Sequence, residues 1–200
     1  MIKNIIFDIG NVLLRWNPGV AVKEVFSDYP DQESLTKALF KSQTWFDLNL
    51  GKLTIEETIA EYNSSLNLEI DTLNKLMSKM LESITPINET ISLLKKLHAL
   101  GIPLYSITDN VREIIQYEKN KHDFFDCFID IVTSYDTEVL KPDTKIYEHL
   151  LEKHKLTASE CLFIDDVLKN VEGAINVGMK GFHFTDAKSF ENYLLEVKLL

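Results

Sequence analysis

The chain has 200 residues, 45% hydrophobic and 26% charged, with only 7 Gly and 5 Pro; this composition encodes a folded globule and excludes collagen-like, linker-dominated and disordered chains. At about 150 residues per domain, the length fits one good-sized domain or one domain carrying a modest insertion. The 21 basic and 31 acidic residues give a net charge of −10, and with no basic block the chain is not expected to hold a nucleic-acid backbone by charge.

The first element is the apolar run Ile2–Phe7, short and bounded by polar residues, which reads as a buried strand. Lys3, Asp8 and Arg15 break the apolar opening and no small-residue cleavage site follows it, so it does not read as a secretory signal. No run approaches the roughly 18 apolar residues of a membrane span, and a cytoplasmic protein without membrane contact is expected. From Asn17 to Thr85 the pattern is helical, with apolar residues at Leu35, Leu39, Ile55, Ile59, Tyr62, Leu73, Leu76, Met77, Met80 and Leu81 and no convincing strand. Thr54 and Glu57 have capping-box spacing. The stretch 17–85 is therefore expected to be an all-helical insertion after the first strand.

Beyond the insertion, strand and helix alternate. Glu89–Leu100 places Ile91, Leu94, Leu97 and His98 on one helix face, and Gly101 sits where the helix end needs a left-handed residue. Pro103–Ile107 and Phe128–Val132 read as the second and third strands. A helix is expected over Asp143–His154, with Ile146, Leu150 and Leu151 inward. Thr157 and Glu160 again have capping-box spacing, Cys161–Ile164 reads as the fourth strand, Gly178 as another helix end, and Gly181–Phe184 as the fifth strand. This alternation predicts an α/β fold, a parallel sheet covered by helices on both faces. The core would comprise 1–16 and 86–200, and the helical cap 17–85.

In such a sheet, ligands bind beyond the carboxyl ends of the strands. There the sequence places Asp8 after the first strand, Thr108 and Asp109 after the second, and Asp165 and Asp166 at the end of the fourth; Lys141 lies just after the third strand and before a helix. Several acids converging on one edge repel one another, and a hard cation is the simplest compensation; Mg²⁺ suits carboxylates, waters and a phosphate oxygen. Lys141 and the Thr108 hydroxyl would then hold phosphate oxygens while Asp8 attacks phosphorus, giving an aspartyl phosphate that water releases. A small phosphate ester is the partner such a site implies.

The segments Ile5-Ile6-Phe7-Asp8-Ile9-Gly10-Asn11-Val12-Leu13, Ser106-Ile107-Thr108-Asp109-Asn110, Leu140-Lys141-Pro142-Asp143 with Ile146-Tyr147, and Phe163-Ile164-Asp165-Asp166 with Asn170 and Gly173-Ala174 together resemble the haloacid dehalogenase-like superfamily. Within it, they resemble a branch of sugar-phosphate phosphatases that includes glucose-1-phosphatase-like enzymes. The resemblance spans the whole chain and implies a Rossmann-like three-layer core with a helical cap. It also implies roles: Asp8 as nucleophile and Mg²⁺ ligand, Thr108 as phosphate donor, Lys141 as the neutralising cation, and Asp166 as a metal-binding acid. Asp165 would be an indirect or water-mediated metal partner, the Gly10 carbonyl a further ligand, and Asn170 an orienting group for Lys141 or a metal-bound water. Asp109 would join the phosphate pocket or order the Thr108 loop, and it could equally cap the next helix. One departure stands out. Most phosphatases of the superfamily carry a second aspartate two residues after the nucleophile as general acid and base, whereas this chain has Gly10. An anomeric sugar phosphate, whose leaving group departs readily, fits that loss.

Two other chemistries compete: a haloacid dehalogenase, which would not need the metal acids, and a catalytically weak phosphate-binding regulator that lost its chemistry with the acid at position 10. A phosphate-receiving signalling domain shares the residue types, but its acidic pair comes early and its lysine late. The five histidines form no ligand set, and Cys127 and Cys161 lie too far apart in sequence for a metal-type motif, which suits reduced thiols. Trp16 and Trp45-Phe46 read as packing residues or as groups facing a substrate.

Overall fold

The computed structural model describes residues 1–200. Two units divide the chain: Met1–Arg15 with Pro86–Leu200 forms one, and Trp16–Thr85 the other. Numbered in chain order, the strands are β1 (Asn4–Phe7), β2 (Leu14–Arg15), β3 (Thr85–Pro86), β4 (Leu104–Thr108), β5 (Asp130–Thr133), β6 (Cys161–Asp165) and β7 (Lys180–His183).

In the first unit, five strands form one sheet in the order β5-β4-β1-β6-β7, every neighbouring pair parallel. β1, β4 and β6 are buried along their whole length, as expected of strands covered on both faces. The helices that cover the sheet include α6 (Asn88–Ala99), α9 (Thr144–His154), α10 (Leu168–Asn176) and α11 (Ala187–Glu196), with α7 (Arg112–Lys121) between β4 and β5. Alternation along β1 assigns the two faces. Ile6 packs with Ile146, Tyr147 and Leu150 of α9 and Ala174 of α10, while Phe7, one residue on, meets Phe190 of α11 edge-on. The result is the expected three-layer α/β core.

The second unit is helical: α1 (Pro18–Val25), α2 (Gln32–Phe40), α3 (Gln43–Asn49), α4 (Ile55–Leu66) and α5 (Ile70–Ser83). The box at the start of α4 forms in both directions: the Glu57 N–H donates to Thr54 Oγ1, and the Thr54 N–H to Glu57 Oε2. α5 buries Leu73, Leu76, Met77 and Met80 at helical spacing. Trp16 stacks on Trp45, and both rings meet Phe40 edge-on, so this aromatic group packs within the unit. Only Phe46 of the pair Trp45-Phe46 is exposed.

Some local expectations are corrected. Thr157 makes no side-chain cap, because only the three-residue 3-10 turn Ala158–Glu160 separates it from β6. Lys141 does not directly follow β5, since a short helix, α8 (Ser134–Thr137), intervenes. Gly101 and Gly178 do take left-handed backbones, at φ 76° and 89°. Both cysteines are free thiols, and no helix is long and apolar enough to cross a membrane.

The seat of Lys141 depends on one close approach. A Cβ on Gly173 of α10 would lie 2.7 Å from the Pro142 carbonyl oxygen and 3.0 Å from Tyr147 Oη, so α10 rests directly on the backbone next to Lys141. Gly173→Ala is expected to force the helix away and to destabilise the protein by about 1–3 kcal/mol, measured as a lower urea midpoint.

Candidate active site

The register of the sheet begins the site. Phe7 pairs with Ile164 of β6 and Ser106 of β4, so the next residue, Asp8, comes level with Asp165 on one side and Ile107 on the other. The Asp8 N–H donates to the Ile164 carbonyl at 2.8 Å, continuing the ladder past the end of β1. The acids that follow the apolar runs are thus brought to one edge by strand pairing alone.

Lys141 enters this edge from the loop before α9. Its ammonium lies 2.8 Å from Asp8 Oδ1, 2.8 Å from Asp165 Oδ2 and 3.3 Å from the Ile107 carbonyl oxygen. Three contacts match the three protons of an ammonium, so its donor capacity is used within the protein. All three charged residues are buried, at 7% exposure for Asp8 and Lys141 and 0% for Asp165. Lys141 is held through its backbone as well, its N–H donating to Asp109 Oδ1 at 3.0 Å.

Asp165 is equally committed. Oδ2 accepts from Lys141 and Asn170, and Oδ1 from Asn170 and the Val167 N–H. These contacts fill the roughly four acceptor sites of a carboxylate. Asp165 therefore fixes Lys141, and Asn170 acts through Asp165; the Tyr147 hydroxyl in turn donates to the Asn170 carbonyl at 2.8 Å. Asp166 is half-buried, with Oδ2 accepting from the Asn11 side-chain amide at 3.2 Å. Thr108 is buried at the end of β4. Asp109 accepts from the Lys141 backbone N–H, which ties the end of β4 to the loop that carries Lys141. Lys141 spends its protons on the two acids and a carbonyl.

The electrostatics leave a negative surplus. Burial pushes the Asp8 carboxyl up to about 7 even though Lys141 pulls it down, and the nearby Asp165 charge adds to the rise. Burial raises Asp166 and Asp109 too, again with a contribution from Asp165. Burial works to lower the Lys141 ammonium, but the charges of Asp8, Asp165 and Asp109 overcome it and hold its pKa above the ordinary lysine value. Carboxylate oxygens of Asp8, Asp165 and Asp166 all lie within 4.8 Å of one another with one lysine among them. Such an all-oxygen set with excess negative charge fits a hard divalent cation. Asp8 Oδ2 takes no protein donor. A Cβ built on Gly10 would stand 4.0 Å from that oxygen with nothing nearer, and the Gly10 backbone is outside the left-handed region.

Sequence reading missed two members of this neighbourhood. The sequence shows Asn11 only as part of a motif and His183 only as one of five histidines that form no ligand set; His183 Nε2 lies 3.0 Å from the Asp166 carbonyl oxygen. Proximity of His183 to Asp165 in a sheet was the only available signal, and it requires the register.

Known proteins resemble this chain along most of its length. A family model described as haloacid dehalogenase-like hydrolase matches residues 2–178. The chain is 30% identical over 185 residues to the sesquiterpene phosphatase astK of Aspergillus oryzae, covering 92% of this chain and 91% of that protein. It is 24% identical over 189 residues to an (S)-2-haloacid dehalogenase of Pseudomonas putida, covering 88% and 82%. A HAD family enzyme of Bacteroides thetaiotaomicron, solved with magnesium and inorganic phosphate, superimposes with a TM-score of 0.78 at 18% identity, over 93% of this chain and 96% of that one.

The buried charge cluster makes a stability prediction. Lys141→Met leaves Asp8 and Asp165 without their cation and is expected to cost about 3–5 kcal/mol. Adding Asp8→Asn removes one of the stranded charges, so the double variant should unfold at a higher urea concentration than Lys141→Met alone.

Proposed function

Because the chain belongs to the haloacid dehalogenase-like hydrolases, we propose that it is a Mg²⁺-dependent phosphomonoesterase acting on a small phosphate ester, with sugar phosphates as the substrate class. The observation that carries this reading is the Lys141 ammonium seated between Asp8 and Asp165, which leaves Asp8 Oδ2 free.

Asp8 Oδ2 attacks phosphorus, forming the Asp8 oxygen–phosphorus bond as the bond to the leaving alcohol oxygen breaks. Lys141, fixed on Asp8 Oδ1, offsets the negative charge that would otherwise repel a phosphate dianion from a carboxylate. The Thr108 hydroxyl donates to a phosphate oxygen. Asp8, Asp166 and the Gly10 carbonyl would hold Mg²⁺, which when bound supplies further charge neutralisation at the phosphate oxygens. Asp165 and Asn170 keep Lys141 in place, and Asp109 ties down its backbone. Water then attacks the phosphorus of the aspartyl phosphate, releasing inorganic phosphate and restoring Asp8. The dehalogenase alternative uses the same attack on carbon, but it gives no role to the surplus acid Asp166.

Gly10 shapes the choice of ester. Without an acid there, the leaving oxygen takes its proton from water or departs as a stabilised anion, so esters with good leaving groups are favoured. The test is a panel containing an aryl phosphate, sugar 1-phosphates, sugar 6-phosphates, a terpenoid phosphate and 2-chloropropionate, with and without Mg²⁺. Hydrolysis of the aryl ester that requires Mg²⁺ and disappears in Asp8→Asn is expected, with sugar 1-phosphates turned over faster than 6-phosphates. Since a Cβ fits at position 10, Gly10→Asp should raise 6-phosphate turnover by about tenfold or more, set against the 10²–10⁴ range for a positioned acid. Chloride release without phosphate release would overturn the reading, and a preference for the terpenoid or 6-phosphate esters would replace the proposed substrate class.

A further inference from the structure

Asp166 is gripped from two directions by residues that the proposed chemistry leaves unused. Asn11 holds a left-handed backbone, φ 53°, and from there its side-chain amide donates to Asp166 Oδ2 at 3.2 Å. On the other side, the β6–β7 register puts His183 opposite Asp165. His183 Nε2 lies 3.0 Å from the Asp166 carbonyl oxygen. A carbonyl has no proton to offer, so Nε2 carries a hydrogen and donates. The next N–H, that of Phe184, donates to the Asp165 carbonyl at 2.9 Å. Both carbonyls of the Asp165-Asp166 pair are therefore fastened to the end of β7.

The two neighbouring acids differ in what holds them. Asp165 is locked by Lys141, Asn170 and the Val167 N–H. Asp166 has no lysine on it, and it sits half-buried in the turn after β6. Its aim depends on a neutral amide at the carboxylate and an imidazole at the carbonyl. Both donors stabilise the residue without cancelling its charge, which is what an acid reserved for a cation requires.

We propose that Asn11 and His183 are positioning residues that hold Asp166 in its ligating orientation and so set the affinity of the site for Mg²⁺. The proposal rests on the reading of Asp166 as a Mg²⁺ ligand. A carboxylate fixed in advance loses little rotamer freedom on binding, and removing the partner that orients a metal ligand typically costs about 10–100-fold in metal affinity.

Calorimetric titration of Mg²⁺ into the unmodified protein and the variants Asp166→Asn, Asn11→Gly, His183→Ala and His183→Gln tests it, with thermal unfolding of each metal-free protein alongside. Asn11→Gly keeps the left-handed backbone at no steric cost while deleting the amide. The side-chain nitrogen of His183→Gln reaches toward the place of Nε2. Asp166→Asn is expected to abolish binding. Asn11→Gly and His183→Ala should each weaken it by roughly tenfold with little change in metal-free unfolding, and His183→Gln should recover most of the loss. Their aryl phosphate turnover should fall at limiting Mg²⁺ and recover as Mg²⁺ is raised, a pattern that a general packing defect does not produce. If Asp166→Asn loses Mg²⁺ while Asn11→Gly and His183→Ala bind it normally, the positioning proposal is wrong and the ligand reading survives. If either variant alone binds normally, that residue is removed from the proposal. If Asp166→Asn binds as the unmodified protein does, or the unmodified protein binds no Mg²⁺, the ligand reading fails and takes the proposal with it.

Discussion

A single buried ammonium organises the acidic edge of the five-stranded sheet. Lys141 gives its protons to Asp8, Asp165 and the Ile107 carbonyl, and taking such charges out of water costs several kcal/mol per ion unless each is well paired. The surrounding structure meets that demand. Asn170 and the Val167 N–H fill the remaining acceptor sites of Asp165, Asp109 holds the Lys141 backbone, and Tyr147 anchors Asn170. Gly173 belongs to the same requirement, since α10 brings Asn170 to Asp165 only by resting against Pro142. Residues in or next to β1, β4, β6, α9 and α10 thus serve one electrostatic constraint, and Lys141 engages only one of the two Asp8 oxygens.

The elements that the sequence revealed best are those buried on both faces. β1, β4 and β6 appear as largely apolar runs because every residue in them is buried. Edge strands are harder to bound. The run Phe128–Val132 suggested a strand two residues earlier than β5 begins, because Phe128 is apolar for another reason: its ring packs against Phe7 and Phe125 after the 3-10 turn. Likewise the strand read at Gly181–Phe184 is shifted by one residue from β7, since ladder hydrogen bonds define its ends and hydrophobicity does not. The Thr157 box failed for a steric reason, there being only three residues in which to turn before β6. Local spacing announces a cap, but the sheet decides whether a helix has room to follow.

The acids of the site were legible because each follows an apolar run at the sheet edge where ligands gather. What they do to one another was not. Counting the protons of Lys141 against its partners, or the acceptor sites of Asp165 against its donors, needs positions that no spacing rule supplies. Asn11 meets Asp166 across 155 residues of chain and His183 meets it across 17. Neither residue type is unusual where it stands, so composition gave no signal; the strand order β1-β6-β7 gives them their partner.

Two glycines of the core show how packing separates a structural requirement from a chemical one. Gly173 has no room for a Cβ, and its identity follows from the contact with Pro142. Gly10 faces no such pressure: its backbone is outside the left-handed region, and a Cβ there would meet nothing nearer than Asp8 Oδ2 at 4.0 Å. Neither strain nor crowding accounts for the missing side chain, so its effect falls on whatever occupies that space during turnover. In the proposed reaction, that occupant is the ester approaching the free oxygen of Asp8. An aspartic acid there would contribute a proton to the leaving oxygen and restrict the approach; glycine does neither. On that proposal the site favours esters whose alcohols leave without help and whose bulk close to phosphorus needs the room.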